Sequence, residues 1–174
     1  MKSENLKERL KNIKVLIMDV DGTLTDGAMY YNENGEELKR FSTRDGMGIT
    51  LLNNAGIQTG VITSEYSEIA YRRAEKLKIN HIIIGSHDKK SEILNLSEKL
   101  NLSLDDVAYI GDDVNDIQAM QVVGVSACPN DAVHNVIEIA DYTCSHNGGN
   151  GAVREFAEQI LLSQNKSIIL PENW

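Results

Sequence analysis

Five short apolar runs, separated by longer stretches of helical pattern, constrain this chain more than any other feature. They occupy residues 15–20, 60–63, 82–85, 107–111 and 125–127. Each is of strand length and nearly continuous in aliphatic residues, as expected of strands buried on both faces. Helical periodicity fills 67–77, 89–100 and 117–123. Apolar strands alternating with helices predict an α/β fold, a Rossmann-like three-layer sandwich with a central parallel sheet.

One segment breaks the alternation. Residues 28–31 and 36–41 flank Asn32-Glu33-Asn34-Gly35 and read as a β-hairpin around an Asn-Gly turn. This flap, about 28–41, leaves the end of the first strand directly. Residues from about 163 to 174 lose helical periodicity and read as an extended tail. The 174 residues are expected to form one domain spanning 1–174.

Charge and cysteines narrow the function classes. The chain carries 26 acidic against 17 basic side chains, a net charge of −9, which argues against a nucleic-acid partner. No apolar run approaches the ~18 residues of a membrane span, and no signal-peptide pattern is present. Cys128 and Cys144 make no disulfide framework, and no Cys-x-x-Cys or His-x-x-x-His suggests zinc. The cytoplasm is the expected compartment.

Open parallel sheets bind ligands beyond the carboxyl ends of their strands. There the sequence places Asp19, Asp21 and Thr23; then Thr63, Ser64 and Glu65; then His87, Asp88, Lys89 and Lys90; then Asp112, Asp113 and Asp116. Asp19, Asp21, Asp112, Asp113 and Asp116 would repel one another at one sheet edge unless a cation held them. Carboxylate oxygens suit Mg²⁺, which also takes water and substrate phosphate. Thr63 can offer a hydroxyl to a phosphate, Ser64 a backbone N–H, and Lys89 a point charge. A helix N-cap role explains one acid at 112–113, not all three acids of that loop.

Asp19-x-Asp21-x-Thr23, Thr63, Lys89 and Gly111-Asp112-Asp113-x-x-Asp116 resemble, in order and spacing, the four signatures of the haloacid dehalogenase superfamily. The resemblance implies that Asp19 attacks phosphorus and forms an aspartyl-phosphate, while Asp21 serves as general acid and then general base. It also implies that Mg²⁺ is held by the Asp19 carboxylate, the Asp21 backbone carbonyl and Asp112, with Asp113 and Asp116 orienting Lys89, metal waters or Asp112. Neither 27–63 nor 63–89 has room for the cap domain usual in that superfamily. An uncapped site is open to water, so a neighbouring subunit is expected to close it.

Residues 19–27, 43–48 and 148–155 further resemble the capless 3-deoxy-D-manno-octulosonate 8-phosphate phosphatase subfamily. That resemblance implies a phosphorylated sugar acid as substrate. It also implies a homotetramer with hairpins assembled centrally and tails near the neighbour's site. Those enzymes commonly read Thr-Gly-Arg where this chain reads Thr63-Ser64-Glu65. With Arg73 and Lys76 following, this looks more like the branch acting on 2-keto-3-deoxynononate or acylneuraminate 9-phosphates. Glu65 is then expected to meet sugar hydroxyls, and Arg73 and Lys76 the substrate carboxylate, across a subunit interface. Arg44 is a further candidate, or an ion-pair partner of Asp45. The nine-carbon substrate is the leading expectation and the eight-carbon substrate the alternative. Two rival classes are a response-regulator receiver and a non-catalytic oligomerisation module like those fused to some sugar-acid cytidylyltransferases. The Asp-x-Asp-Gly-Thr pattern and the retained Lys89 and Asp112 favour the phosphatase. His81, His87, His134 and His146 lack ligand spacing, and the glycines at 148–151 read as a turn rather than a nucleotide loop.

Overall fold

A computed structural model describes residues 2–170, with side chains from residue 6 onward. Its elements run α1 (Lys2–Leu10), β1 (Val15–Met18), β2 (Tyr30–Asn32), β3 (Gly35–Leu38), α2 (Thr43–Asn54), β4 (Gln58–Thr63), α3 (Glu68–Lys76), β5 (His81–Ile84), α4 (Lys89–Leu100), β6 (Val107–Ile110), α5 (Ile117–Met120), β7 (Val125–Cys128), α6 (His134–Ile139), β8 (Tyr142–Thr143) and α7 (Ala152–Ser163). Single 3₁₀ turns at Leu104–Asp106 and Val114–Asp116 introduce β6 and α5.

All six strands of the main sheet are parallel, in the order β5-β4-β1-β6-β7-β8. The strand period of two splits the core cleanly. Leu16, Met18, Ala108 and Ile110 face a layer that includes Leu52 of α2, Ala74 of α3 and Phe156 of α7. Val15, Ile17, Val107 and Tyr109 face the opposite layer, with Ile93 of α4, Met120 of α5 and Val136 of α6. Three layers follow directly, and the continuous apolar runs are accounted for because both strand faces are covered.

β1 lies between β4 and β6, so its carboxyl end opens at the middle of the sheet edge. The strands stop before the acids: β1 ends at Met18 and β6 at Ile110. The helix expected over 117–123 ends at Met120. β8, only two residues long, carries no apolar run that sequence reading could detect.

The hairpin is present but shorter than its sequence outline. Its loop is Glu33-Asn34, one residue earlier than the Asn-Gly turn expected, with Gly35 at φ +120 opening β3. Asn32 Oδ1 accepts from the Asn34 N–H at 2.8 Å and closes the loop. A bridge from Thr25 to Phe41 fastens its root. The tail is not free through Leu170: Lys166 Nζ donates to the Ala55 carbonyl at 2.6 Å, and Leu170 packs on the core. Residues 171–174 of the expected tail lie outside the described residues.

Candidate active site

The carboxyl edge of β1 and β6 gathers a buried charge cluster. Asp19 follows β1 directly and is 5% exposed; its N–H donates to the Ile110 carbonyl at 2.9 Å, fixing it between the two strands. Lys89 opens α4, whose N-cap Asp88 accepts from the Ser91 N–H. From there Lys89 Nζ reaches Asp19 Oδ1 and Asp116 Oδ1, both at 2.6 Å, with its side chain 1% exposed. Asp116 is held from three further directions. Tyr109 Oη donates to its Oδ1 at 2.6 Å, and the N–H groups of Asp112 and Asp113 donate to its Oδ2. Asp116 is thus the fixed member of the cluster, with donors on both oxygens, and it holds one side of Lys89 Nζ.

Asp112 is half-buried and receives Thr23 Oγ1 on Oδ1 at 3.1 Å. The intervening Gly22 sits at φ +86, and a Cβ there would lie 2.0 Å from Asp112 Oδ2. Only glycine both adopts that backbone and leaves Asp112 its place. The glycine-rich loop presses on the same turn: a Cβ at Gly148 would lie 1.8 Å from the Gly22 carbonyl oxygen, and the Gly149 N–H donates to the Thr23 carbonyl at 3.0 Å. Residues 148–151 therefore brace the Asp19–Thr25 turn.

Carboxylate oxygens of Asp19, Asp112 and Asp116 lie within 4.8 Å of one another. Among the described residues, Asp19 and Asp112 each keep one oxygen that accepts no hydrogen bond, whereas both oxygens of Asp116 are taken. Hard oxygen donors with open lone pairs, crowded by like charge, fit Mg²⁺. The electrostatics agree. Burial, then the Asp116 charge, raise the Asp19 carboxyl well above its ordinary range, against the pull of Lys89. Burial and Asp116 likewise push Asp112 up to about 7, with the Thr23 hydrogen bond opposing. Burial by itself would lower Lys89, but Asp19 and Asp116 raise it, so it stays charged.

The remaining candidates fall into two groups. Thr63 ends β4 beside β1, 2% exposed, and its Oγ1 accepts from the Glu65 N–H at 3.2 Å. Ser64 and Glu65 follow at the same edge, half-exposed and exposed. The side chains of the others lie away from the Asp19–Lys89–Asp116 cluster. Asp113 is exposed and its Oδ1 accepts from the Val114 N–H at 2.6 Å; it caps the 3₁₀ turn and touches neither Lys89 nor Asp112 through its side chain. Arg44 is exposed and makes no ion pair with Asp45, whose oxygens accept from the Gly151 and Arg154 N–H groups instead. Arg73 lies over the Phe41 ring, 5.8 Å to its centroid. Arg73 and Lys76 line a groove of about 660 Å³ between α2 and α3, which includes no residue of the Asp19 cluster. Within one protomer these two do not reach the phosphate region.

Sequence reading missed three participants. Lys39 of the hairpin root is joined to Asp21 Oδ1 at 2.5 Å and to Glu36 Oε1 at 2.7 Å, with its side chain wholly buried. Glu36 accepts in turn from Ser67 Oγ, the cap of α3, at 2.5 Å. Burial by itself would lower Lys39, but hydrogen bonds from it to Asp21 and Glu36 raise its pKa. Tyr109 carried a detectable signal, since a phenol inside a parallel strand needs a buried acceptor. Lys39 carried none, as flap lysines are usually solvated.

A parallel sheet that collects three carboxylates, a buried lysine and a threonine at its carboxyl edge is built for metal-assisted phosphoryl chemistry. The pattern of the haloacid dehalogenase-like hydrolases matches residues 60–156, and the chain belongs to that family. It is 40% identical over 164 residues to the 3-deoxy-D-manno-octulosonate 8-phosphate phosphatase KdsC of Escherichia coli K12, covering 94% of this chain and 87% of that one. The solved phosphatase of that name from Moraxella catarrhalis, in complex with magnesium, phosphate and KDO, aligns with TM-score 0.90 and 40% identity over 93% of each chain. The cobalt-bound Haemophilus influenzae enzyme aligns with TM-score 0.89 and 40% identity, covering 91% of this chain and 93% of that one. The expected family, fold, enzyme class and divalent cation stand. Among the described residues, no helix is long and apolar enough to cross a membrane.

A pH-dependent response to metal follows. In the metal-free fold Asp112 keeps its proton to about 7, against 3.8 ordinarily. Its contribution to stability is therefore full below 3.8 and is lost as pH rises through 7. Mg²⁺ needs the ionised carboxylate, so its stabilisation grows over the same interval. Melting curves with Mg²⁺ near 100 times its Kd should show a gain of about 5–10 °C at pH 8 and almost none at pH 5. A gain independent of pH, or unchanged in Asp112→Asn, contradicts the assignment of Asp112 to the metal.

Proposed function

We propose that this protein is a Mg²⁺-dependent phosphatase acting on 3-deoxy-D-manno-octulosonate 8-phosphate. The observation that carries the reading is the 40% identity, nearly end to end, to octulosonate 8-phosphate phosphatases, one of them solved with magnesium, phosphate and the sugar acid. The comparisons support the eight-carbon substrate over the nine-carbon expectation.

In the proposed reaction an Asp19 oxygen attacks phosphorus while the ester P–O bond breaks. Asp21, as the acid, gives its proton to the departing sugar oxygen. The Asp21 carboxylate then takes a proton from a water that attacks the same phosphorus, which releases phosphate and restores Asp19. Lys89 and Thr63 face the phosphoryl oxygens, and Ser64 adds its N–H. Asp116 holds Lys89 in line. Mg²⁺, held by Asp19, Asp112 and the Asp21 carbonyl, would neutralise charge on the transferring phosphoryl group.

Residues 1–174 act as one phosphatase core in the cytoplasm, and a homotetramer closes the open site. Exposed apolar side chains on the hairpin support association there: Tyr30, Tyr31 and Leu38 are 49%, 62% and 56% exposed. Arg73 and Lys76 would then serve a neighbour's substrate.

Glu65 sustains a second reading, the nine-carbon sugar-acid 9-phosphates, because an exposed carboxylate beside Thr63 suits sugar hydroxyls. Steady-state kinetics on octulosonate 8-phosphate, nononate 9-phosphate and acylneuraminate 9-phosphate decides. The eight-carbon substrate should lead in kcat/KM by roughly tenfold or more, about 1.4 kcal/mol. Glu65→Arg should widen that margin. A tenfold preference for a nine-carbon substrate overturns the proposal in favour of the second reading.

A further inference from the structure

The hairpin does more than cover the sheet edge. Lys39 Nζ sits between Asp21 Oδ1 at 2.5 Å and Glu36 Oε1 at 2.7 Å, and its side chain has no solvent exposure. Glu36 is pinned through its other oxygen by Ser67 Oγ, and Ser67 also accepts from the Ala70 N–H as the cap of α3. A continuous chain of contacts therefore runs from the N-cap of α3, through Glu36 of β3 and Lys39 just after that strand, to one oxygen of Asp21. The other oxygen, Asp21 Oδ2, is buried and has no hydrogen-bond partner. Such an atom is rare in a native fold, and here it is the carboxyl oxygen that Lys39 leaves without a donor.

We propose that Lys39 is a positioning residue for proton transfer: by occupying Asp21 Oδ1 it locks the carboxyl rotamer and leaves Oδ2 as the oxygen that carries the proton to the leaving group. This deepens the proposed function and rests on its assignment of Asp21 as the acid. An ammonium only donates, and it donates best to an unprotonated oxygen, so Lys39 holds Oδ1 as the acceptor and leaves the proton to Oδ2. Glu36 and Ser67 hold Lys39 in place rather than touching substrate. The flap is thereby tied to the chemistry without contributing a group that reacts.

Leaving-group dependence tests this. An aryl phosphate such as p-nitrophenyl phosphate departs with little need of a proton, whereas a primary alkyl phosphate needs one. kcat/KM reports the first phosphoryl transfer for both. Lys39→Met should lose at least tenfold more on the alkyl substrate than on the aryl one, and Lys39→Arg should recover most of that difference. Glu36→Gln keeps Lys39 but loosens its anchor, and should show the same pattern more weakly; it decides the matter if Lys39→Met does not fold. Asp21→Asn gives the reference pattern. Equal losses on both substrates in the Lys39 and Glu36 variants, beside a leaving-group-dependent Asp21→Asn, overturn the proposal alone. Equal losses in Asp21→Asn overturn the acid assignment and the proposal with it.

Discussion

Asp19→Asn is expected to release phosphate at least about 10⁴-fold more slowly than the unmodified protein while melting no lower. The substitution is nearly isosteric. An amide oxygen can still accept from Lys89 Nζ, which stands 2.6 Å from Asp19 Oδ1, and the backbone bond to Ile110 is untouched. What disappears is the negative oxygen that attacks phosphorus. Stability should not suffer, because burial and the Asp116 charge already hold the Asp19 carboxyl well above its ordinary range in the metal-free protein. A neutral group removes that repulsion, a trade of function against stability common at active sites. Phosphate release measured over many turnovers, together with a melting curve without metal, checks both halves. Activity within tenfold of the unmodified protein would sink the nucleophile assignment. A large fall in melting temperature would mean that Asp19 is a structural anion.

Lys89→Met should produce the opposite balance, a heavy loss of stability as well as of rate. Lys89 is the cation that reaches both Asp19 and Asp116, and all three side chains are buried. Removing one partner of a buried pair leaves charge without compensation and typically costs about 3–5 kcal/mol. For a chain of this size that lowers the melting temperature by about 10 °C. The deficit should be largest in metal-free protein at pH 8 and should shrink toward pH 5. Without Lys89 the Asp19 carboxyl is raised further, so it takes up a proton in the fold before it would unfolded. By linkage the variant regains stability as pH falls. Phosphate release should drop by about 10²–10³, as when a preorganised electrostatic donor is lost. A variant that melts within two or three degrees of the unmodified protein at pH 8, again on the scale of about 1 kcal/mol, would show that the cluster is solvated and not the buried one described.

Much of the site was legible because its residues follow strands whose pattern was legible. Parallel strands at 15–20 and 107–111 bring their carboxyl ends to one edge, and Asp19 and Asp112 with them. The roles of neighbours within a loop were harder. Asp113 and Asp116 are three residues apart and chemically identical, yet Asp116 is buried on Lys89 and Tyr109 while Asp113 caps a turn at the surface. A 3₁₀ turn at Val114–Asp116 decides which one points inward, and no periodicity announces a turn that short. Arg73 and Lys76 illustrate the same limit from another side. Their helical pattern is legible, but the face they occupy lines a groove with α2 and not the phosphate region, so any contact with substrate depends on a second subunit.

Sequence alone determined the alternation of strand and helix, the parallel sheet, and the set of acids at its carboxyl edge, because these depend on local periodicity and on the fixed geometry of βαβ connections. Tertiary structure decided the pairings across the chain: Lys89 with Asp19 and Asp116, Thr23 with Asp112, and Lys39 with Asp21 and Glu36. Those contacts join residues 18 to 89 positions apart, apart from Glu36 within the hairpin itself. Their partners are chosen by where rigid elements place buried charges that must be neutralised, and that requirement has no period along the chain.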